Sequence, residues 1–453
     1  MHREGDSHVF LVLVNRAAAG ADLNASIGFT KKESLKMIEF YEPMLYLSTP
    51  EHPNTMGVLA VLTEAVDGEL LRDAVEELRT RFPYFYVKAE QRENDLLPVP
   101  NELPMTVRNT WSPIMLNAKE SNYHLGAWKY EGKRLAFEIT HALTDGAGVL
   151  PYFKSALYLY LSRRTGQRFD PEGFRLPGDD IPETETGNPF AGLDIDAAEA
   201  PLYAKETEKD FCRLNDGTDH DARITYIKLP EEQLIQYCRD FDGSPNTFLA
   251  VMLARAVRRC DPASEKTISV AVAIDHKAML GNRDNYRLFA NIAELAFPKS
   301  RPLDDLMKTC TVARGQLMLQ AQPENSLWAM KQRKQTYARL AQLPLETKLG
   351  ALAKSAGSPR WSLSISYANS RSFGPLDPYI EELYLLSEPG VSDIICEVAC
   401  INHSFFLAVG QSFSSDRLMD AFLGELASLD IGYEVTGREP LRLCGFEAFG
   451  ARS

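Results

Sequence analysis

Between Arg134 and Leu161 two hydrophobic periods belonging to different secondary structures meet, with only a short turn between them. Leu135, Phe137 and Ile139 alternate with Ala136, Glu138 and Thr140, the period-two pattern of a strand with one buried face. Phe153, Ala156, Leu157, Tyr160 and Leu161 then recur at helical spacing, and Pro151 suits the first turn of that helix. The turn reads His141-Ala142-Leu143-Thr144-Asp145-Gly146-Ala147-Gly148. A strand that runs into a helix this directly demands an α/β architecture and fixes the histidine from both sides.

The same alternation of patterns continues on either side. Met56 to Leu62 reads as an apolar strand, and Leu71, Ala74, Val75 and Leu78 form one stripe of a helix that Pro83 stops. Tyr84 to Val87 returns to strand-like residues. Farther along, Arg223 to Leu229, Thr267 to Ile274 and Trp361 to Tyr367 are strand candidates. Ser244-Pro245 reads as the cap and first residue of a helix, residues 303–354 are mostly helical with breaks at Pro323 and Pro344, and Arg417 to Leu429 is a final helix. Residues 170–210 differ, with twelve acidic side chains against three basic ones. They read as a solvated crossover, since no EF-hand spacing marks a cation loop. The expected organisation is an N-terminal extension over 1–36, a first half over 37–169 carrying the His141 turn, an acidic linker over 170–221 and a second half over 222–453.

Of the formal charge of −13 over 453 residues, the acidic crossover carries −9. That balance argues against a nucleic-acid partner, because a phosphate surface needs a basic footprint. The apolar run Val9 to Val14 is far short of the ~20 residues that span a bilayer and is poorly flanked for a signal peptide, so no membrane anchor, no export route and no integral membrane association are expected. Seven scattered cysteines with no CxxC pair suggest neither a disulfide framework nor a zinc site, and no metal is expected. Reduced, buried thiols fit a cytoplasmic location.

The chemistry concentrates at His141-x-x-x-Asp145-Gly146. An imidazole can take the proton from a hydroxyl or amine attacking a carbonyl, provided its tautomer and orientation are held. Asp145, with conformationally permissive Gly146 and Gly148, would tie the turn down by pairing with a cation elsewhere. The plainer reading is a histidine ending a strand and an aspartate capping the next helix. Ser362, Ser364 and Ser366 lie on one face of the Trp361–Tyr367 strand at ~6.6–6.8 Å intervals, either lining a tunnel or facing solvent on an edge strand.

His-Ala-Leu-Thr-Asp-Gly after a strand resembles the motif of the chloramphenicol acetyltransferase and condensation-domain superfamily of CoA- and carrier-dependent acyltransferases. The resemblance covers residues from about 40 to 432. Arg79-Thr80-Arg81-Phe82-Pro83-Tyr84-Phe85 looks like the end of that superfamily's first helix, and Ser244-Pro245-Asn246-Thr247-Phe248 like the helix opening its second half. Leu288-Phe289-Ala290-Asn291-Ile292 is similar to its Gly-Asn segment, and Ser366-Tyr367-Ala368-Asn369-Ser370 to its Ser-Asn-Leu-Gly stretch. The single-histidine form looks most like the bacterial alcohol acetyltransferase branch.

The resemblance implies an α/β fold of two similar sandwich subdomains in a V, with a central tunnel reaching the histidine from both faces. His141 would be the general base, while Asp145 and Gly146 would shape the turn. Ser366 and Asn369 would be the polar contacts to the substrate or oxyanion. Where relatives often have an arginine to pair with the motif aspartate, this chain offers Lys277 or Arg287. Thr140 stands where many condensation domains have a second histidine, and the plant-type Asp-Phe-Gly-Trp-Gly signature is absent. His403, beside Phe405 and Phe406, reads as a packed core residue.

The leading expectation is therefore an O-acyltransferase. It would move a short acyl group, acetyl first, from acyl-CoA to an alcohol through a ternary complex with no permanently bound cofactor. The alternatives are condensation with a donor on an acyl carrier protein and an amine acceptor, or a non-catalytic binding protein that keeps the sandwich.

Overall fold

The computed structural model describes residues 43–188, 193–201, 207–279, 281–353, 358–368 and 372–449. The expected extension over 1–36 and Asn369 lie outside them. In chain order the strands of its two large sheets are β1 (Thr55–Leu62), β2 (Val107–Asn109), β3 (Gly126–Glu131), β4 (Arg134–Thr140), β5 (Arg223–Pro230), β6 (Ile268–Asp275), β7 (Ala290–Phe297), β8 (Trp361–Tyr367), β9 (Ile380–Ser387), β10 (Ser392–Ile401), β11 (Ser404–Gln411) and β12 (Glu434–Pro440). The five-stranded sheet runs β9-β1-β4-β3-β2 and the seven-stranded sheet β7-β6-β8-β10-β11-β5-β12.

Local sequence explains most elements. The helix α1 (Gly68–Glu77) is capped by the Asp67 side chain, which accepts from Glu69 N and Leu70 N, and its Leu71, Ala74 and Val75 are buried. Beyond it Leu78–Thr80 tightens into a 3₁₀ turn. Tyr84 does not open a strand: Pro83–Phe85 is a second 3₁₀ turn, with Pro83 presetting φ and Phe85 fully buried, and a strand begins only at Val87. The helix α2 (Gly146–Thr165) starts earlier than Pro151 suggests, because the Asp145 side chain caps it by accepting from Gly148 N. Ser244 and Thr247 form a reciprocal capping box at the start of α3 (Pro245–Cys260). All seven cysteines are free thiols, and six are buried.

Long-range pairing links distant parts of the chain. The strand β9 follows β8 in the chain yet pairs antiparallel with β1, with Met56 opposite Ser387, and so completes the sheet that carries His141. The seven-stranded sheet buries one face, including Val270, Leu363, Ile365, Cys396 and Val398, against α3 and α4 (Arg417–Ser428). Its other face contributes Tyr226, Ala399, Ile401, Phe406 and Ala408 to the core of the five-stranded sheet. The two halves therefore share apolar packing. No helix among the described residues is long and apolar enough to cross a membrane.

Two sequence expectations fail on burial. His403 is not in the core: its side chain is 99% exposed at the turn between β10 and β11, in the left-handed region at φ 56°. The apolar neighbours that suggested packing belong to the strand, and the turn carries His403 out of it. The acidic crossover is not uniformly solvated either. Glu185 is 1% exposed and accepts from Arg81 Nη1 at 2.7 Å and Nη2 at 2.8 Å, from the Tyr84 hydroxyl, and from Arg175 at 2.8 Å. Burial pushes this carboxyl up, but hydrogen bonds from Arg81 and Tyr84 and the Arg175 charge outweigh it, leaving it below its ordinary value of 4.5.

A carboxyl held low in the fold stabilises it above its unfolded value, and that contribution is lost as pH falls through the lower, folded value. Glu185→Gln leaves the Arg81 guanidinium buried without its counter-charge, and at neutral pH it should cost ~3–5 kcal/mol in urea unfolding. Wild type and variant should converge as the pH is lowered below 4.5.

Candidate active site

The strand β4 ends at Thr140, one residue before His141, whose position two hydrogen bonds then fix. The His141 backbone N–H donates to Asn54 O at 2.8 Å, just before β1. Its ring Nδ1 lies 2.8 Å from Thr144 O. A carbonyl oxygen only accepts, so in the neutral ring Nδ1 carries the hydrogen and Nε2 presents its lone pair. The half-buried imidazole thereby presents that lone pair in a defined direction.

Asp145 both caps a helix and binds a cation. Its Oδ1 accepts from Gly148 N at 2.8 Å and pairs with Lys277 Nζ, while Oδ2 accepts from Phe289 N at 3.0 Å. Lys277 is fully buried just after β6, where the Asp275 side chain accepts from its backbone N–H at 2.9 Å. Thr144 Oγ1 adds a bond to Tyr286 O at 2.7 Å. Residues 286–289 and Lys277 thus reach from the second half onto the His141 turn. Arg287, the other cation considered, has its guanidinium 5.2 Å from the Tyr286 ring centroid.

The glycines act differently from the sequence expectation. Both Gly146 and Gly148 lie in α2, and neither has positive φ, so left-handed freedom is not their purpose. A Cβ on Gly148 would come within 2.1 Å of Tyr286 O and 2.4 Å of Thr144 Oγ1, whereas one on Gly146 would meet nothing nearer than Leu385 Cδ1 at 3.7 Å. Gly148 is small because the second half's backbone approaches there.

On the opposite side, β8 lies between β6 and β10, which removes the edge-strand reading of its serines. Ser362 accepts from Ser269 N at 3.2 Å and Ser364 meets Ser392 Oγ at 2.8 Å, so both are engaged within the sheet. Ser366, at the end of β8, is paired across the sheet with Glu397 and hydrogen-bonds its carboxyl.

Glu397 is 7% exposed, and Ser387 Oγ donates to it at 2.7 Å. Burial raises its carboxyl above 4.5, while bonds from Ser387 and Ser366 and the His141 charge pull the other way. Nearby, Glu388 accepts from Asn54 N at 3.1 Å and is pushed up by burial to about 7. Sequence reading missed Glu397. Its signal was an acidic residue inside the otherwise apolar run Ile394 to Ile401.

No protein-family model matches the chain, and no curated protein does. Solved structures do. Polyketide synthase associated protein 5 from Mycobacterium tuberculosis superposes with TM-score 0.55 at 14% identity, covering 87% of this chain and 96% of that one. TRI101 of F. graminearum, in complex with coenzyme A and T-2 mycotoxin, gives TM-score 0.55 at 14% identity over 88% of this chain and 99% of that one. The condensation domain of the Monacolin K polyketide synthase MokA gives 0.51 at 14% identity, covering 86% and 95%. The chain therefore shares the fold of these solved structures, with two joined α/β halves.

Proposed function

We propose that the protein transfers a short acyl group, acetyl in the first instance, from coenzyme A to an alcohol. The observation that carries this reading is His141, whose Nδ1 is committed to Thr144 O and whose Nε2 is left to accept a proton. Likeness to TRI101, solved with coenzyme A, supports the thioester as donor. His141 Nε2 takes the hydroxyl proton as the acceptor oxygen attacks the thioester carbonyl. The tetrahedral intermediate collapses by breaking the C–S bond, and the departing thiolate takes the proton from the imidazolium, giving the ester and free CoA thiol. Asp145 and Lys277 are positioning residues, because their bonds hold the turn.

His141→Ala should lower kcat/KM for acetyl-CoA and a responsive alcohol ~10²–10⁴-fold, read by thiol release. A variant as active as wild type would sink the mechanism, and activity only with a carrier-bound thioester would replace CoA as donor. Lys277→Met strands the buried Asp145 charge and should cost ~3–5 kcal/mol of stability by urea unfolding, with kcat falling more than KM rises as the turn loosens. Gly148→Ala should reduce kcat at least tenfold by about the same route, whereas Gly146→Ala, with room for a methyl, should remain within about threefold of wild type in thermal stability measured as the folding constant.

A further inference from the structure

Glu397 has no part in the mechanism just given, yet three elements converge on it. Cys396 and Val398, its neighbours in β10, face the core of the seven-stranded sheet, so Glu397 points from the opposite face toward the His141 half. Ser387 closes β9, the strand that completes the other sheet, and donates to Glu397 Oε1 at 2.7 Å. Ser366 reaches the same carboxyl from the end of β8. His141 is the titratable group that faces it, from the turn after β4. Ala408, opposite it in β11, carries no charge, and the Glu388 carboxyl beside Ser387 is bonded to Asn54 N.

The ionisation state of such a carboxyl decides which way its neighbours' hydrogens point. A carboxylate is acceptor-only, so it takes the protons of both serines and leaves Ser366 presenting lone pairs to the reacting centre. That arrangement opposes a developing oxyanion. A neutral carboxylic acid has one hydrogen to give. If it gives that hydrogen to Ser366 Oγ, Ser366 turns its own hydrogen outward, where an oxyanion needs a donor. Burial favours the neutral form and outweighs the opposing bonds from the two serines and the His141 charge.

We propose that Glu397 is a positioning residue that works as a neutral acid, donating to Ser366 so that the Ser366 hydroxyl donates to the oxyanion of the tetrahedral intermediate. This rests on the acyl-transfer reading above. No proton is transferred between Glu397 and substrate; when the carboxyl ionises its proton leaves to solvent and the Glu397–Ser366 hydrogen bond reverses, while Ser387 donates to Oε1 in either state.

The test pairs a readout that needs no activity with one that does. Infrared difference spectra between wild type and Glu397→Gln, followed across pH, should contain a protonated-carboxyl band that persists above the ordinary glutamate range and shifts in Ser366→Ala. In pH profiles with acetyl-CoA and alcohol, wild-type kcat should fall on the alkaline side as that band disappears. Glu397→Gln keeps an N–H donor at every pH, and should lose that alkaline fall and recover at least about tenfold of the kcat lost in Glu397→Ala. Ser366→Ala and Glu397→Ala should each lower kcat ~10²-fold with little change in KM, and the double variant no further.

An active wild type without the band, or Glu397→Gln with the wild-type alkaline fall, overturns the proposal. A wild type that shows the band and the Ser366 shift but transfers no acyl group overturns the acyl-transfer reading instead.

Discussion

The Asp145 carboxylate holds the His141 turn and the second half of the chain together. One oxygen accepts from the first turn of α2 and pairs with Lys277, and the other accepts from Phe289 N. Each contact is charge-assisted, and together they offset the cost of taking a carboxylate and an ammonium out of water. The arrangement also explains how a lysine serves here. An arginine would offer a fork to both oxygens, whereas lysine is a point charge, and the Phe289 backbone N–H fills the second oxygen in its place. Closing this contact requires the close approach at Gly148, so helix, histidine and second half assemble as one unit.

The crossover follows the same physics. Glu185, in the most acidic stretch of the sequence, is enclosed by Arg81, Tyr84 and Arg175. Its backbone oxygen accepts from Tyr286 N at 3.1 Å, and Tyr84 stacks on Tyr286 with centroids 4.0 Å apart. Tyr286 in turn accepts from Thr144. A chain of short contacts therefore runs from the crossover to the residue that orients the imidazole. Displacing any member moves a hydrogen-bond partner of the next, so burial in the crossover and imidazole orientation are physically linked.

Much of this fold is legible from local pattern. The α1 stripe, the Ser244 cap and the β8 strand follow from periods and capping chemistry that act within a few residues. The failures are also local in cause. Pro151 signals a helix start but tolerates a position inside α2, because Asp145 caps the helix earlier. His403 borrows an apolar look from strand neighbours although the turn exposes it. Asp145 met both of its sequence readings at once, since a helix cap leaves lone pairs for a distant cation.

Sequence pattern alone places His141 between a strand and a helix start, with an aspartate to cap that helix, but the close approach at Gly148 emerges only in the folded chain. The pattern could not choose between Lys277 and Arg287, and it did not bring Glu397 to Ser366. Both outcomes depend on partners that meet only when the halves pack: Lys277 lies 132 residues from Asp145, and Ser387 reaches Glu397 because β9 lies in the five-stranded sheet although its chain neighbours β8 and β10 lie in the other. Periodicity reports which face of an element is buried. Which charge is buried against which is decided by tertiary packing, because a desolvated charge is stable only where its partner is also delivered.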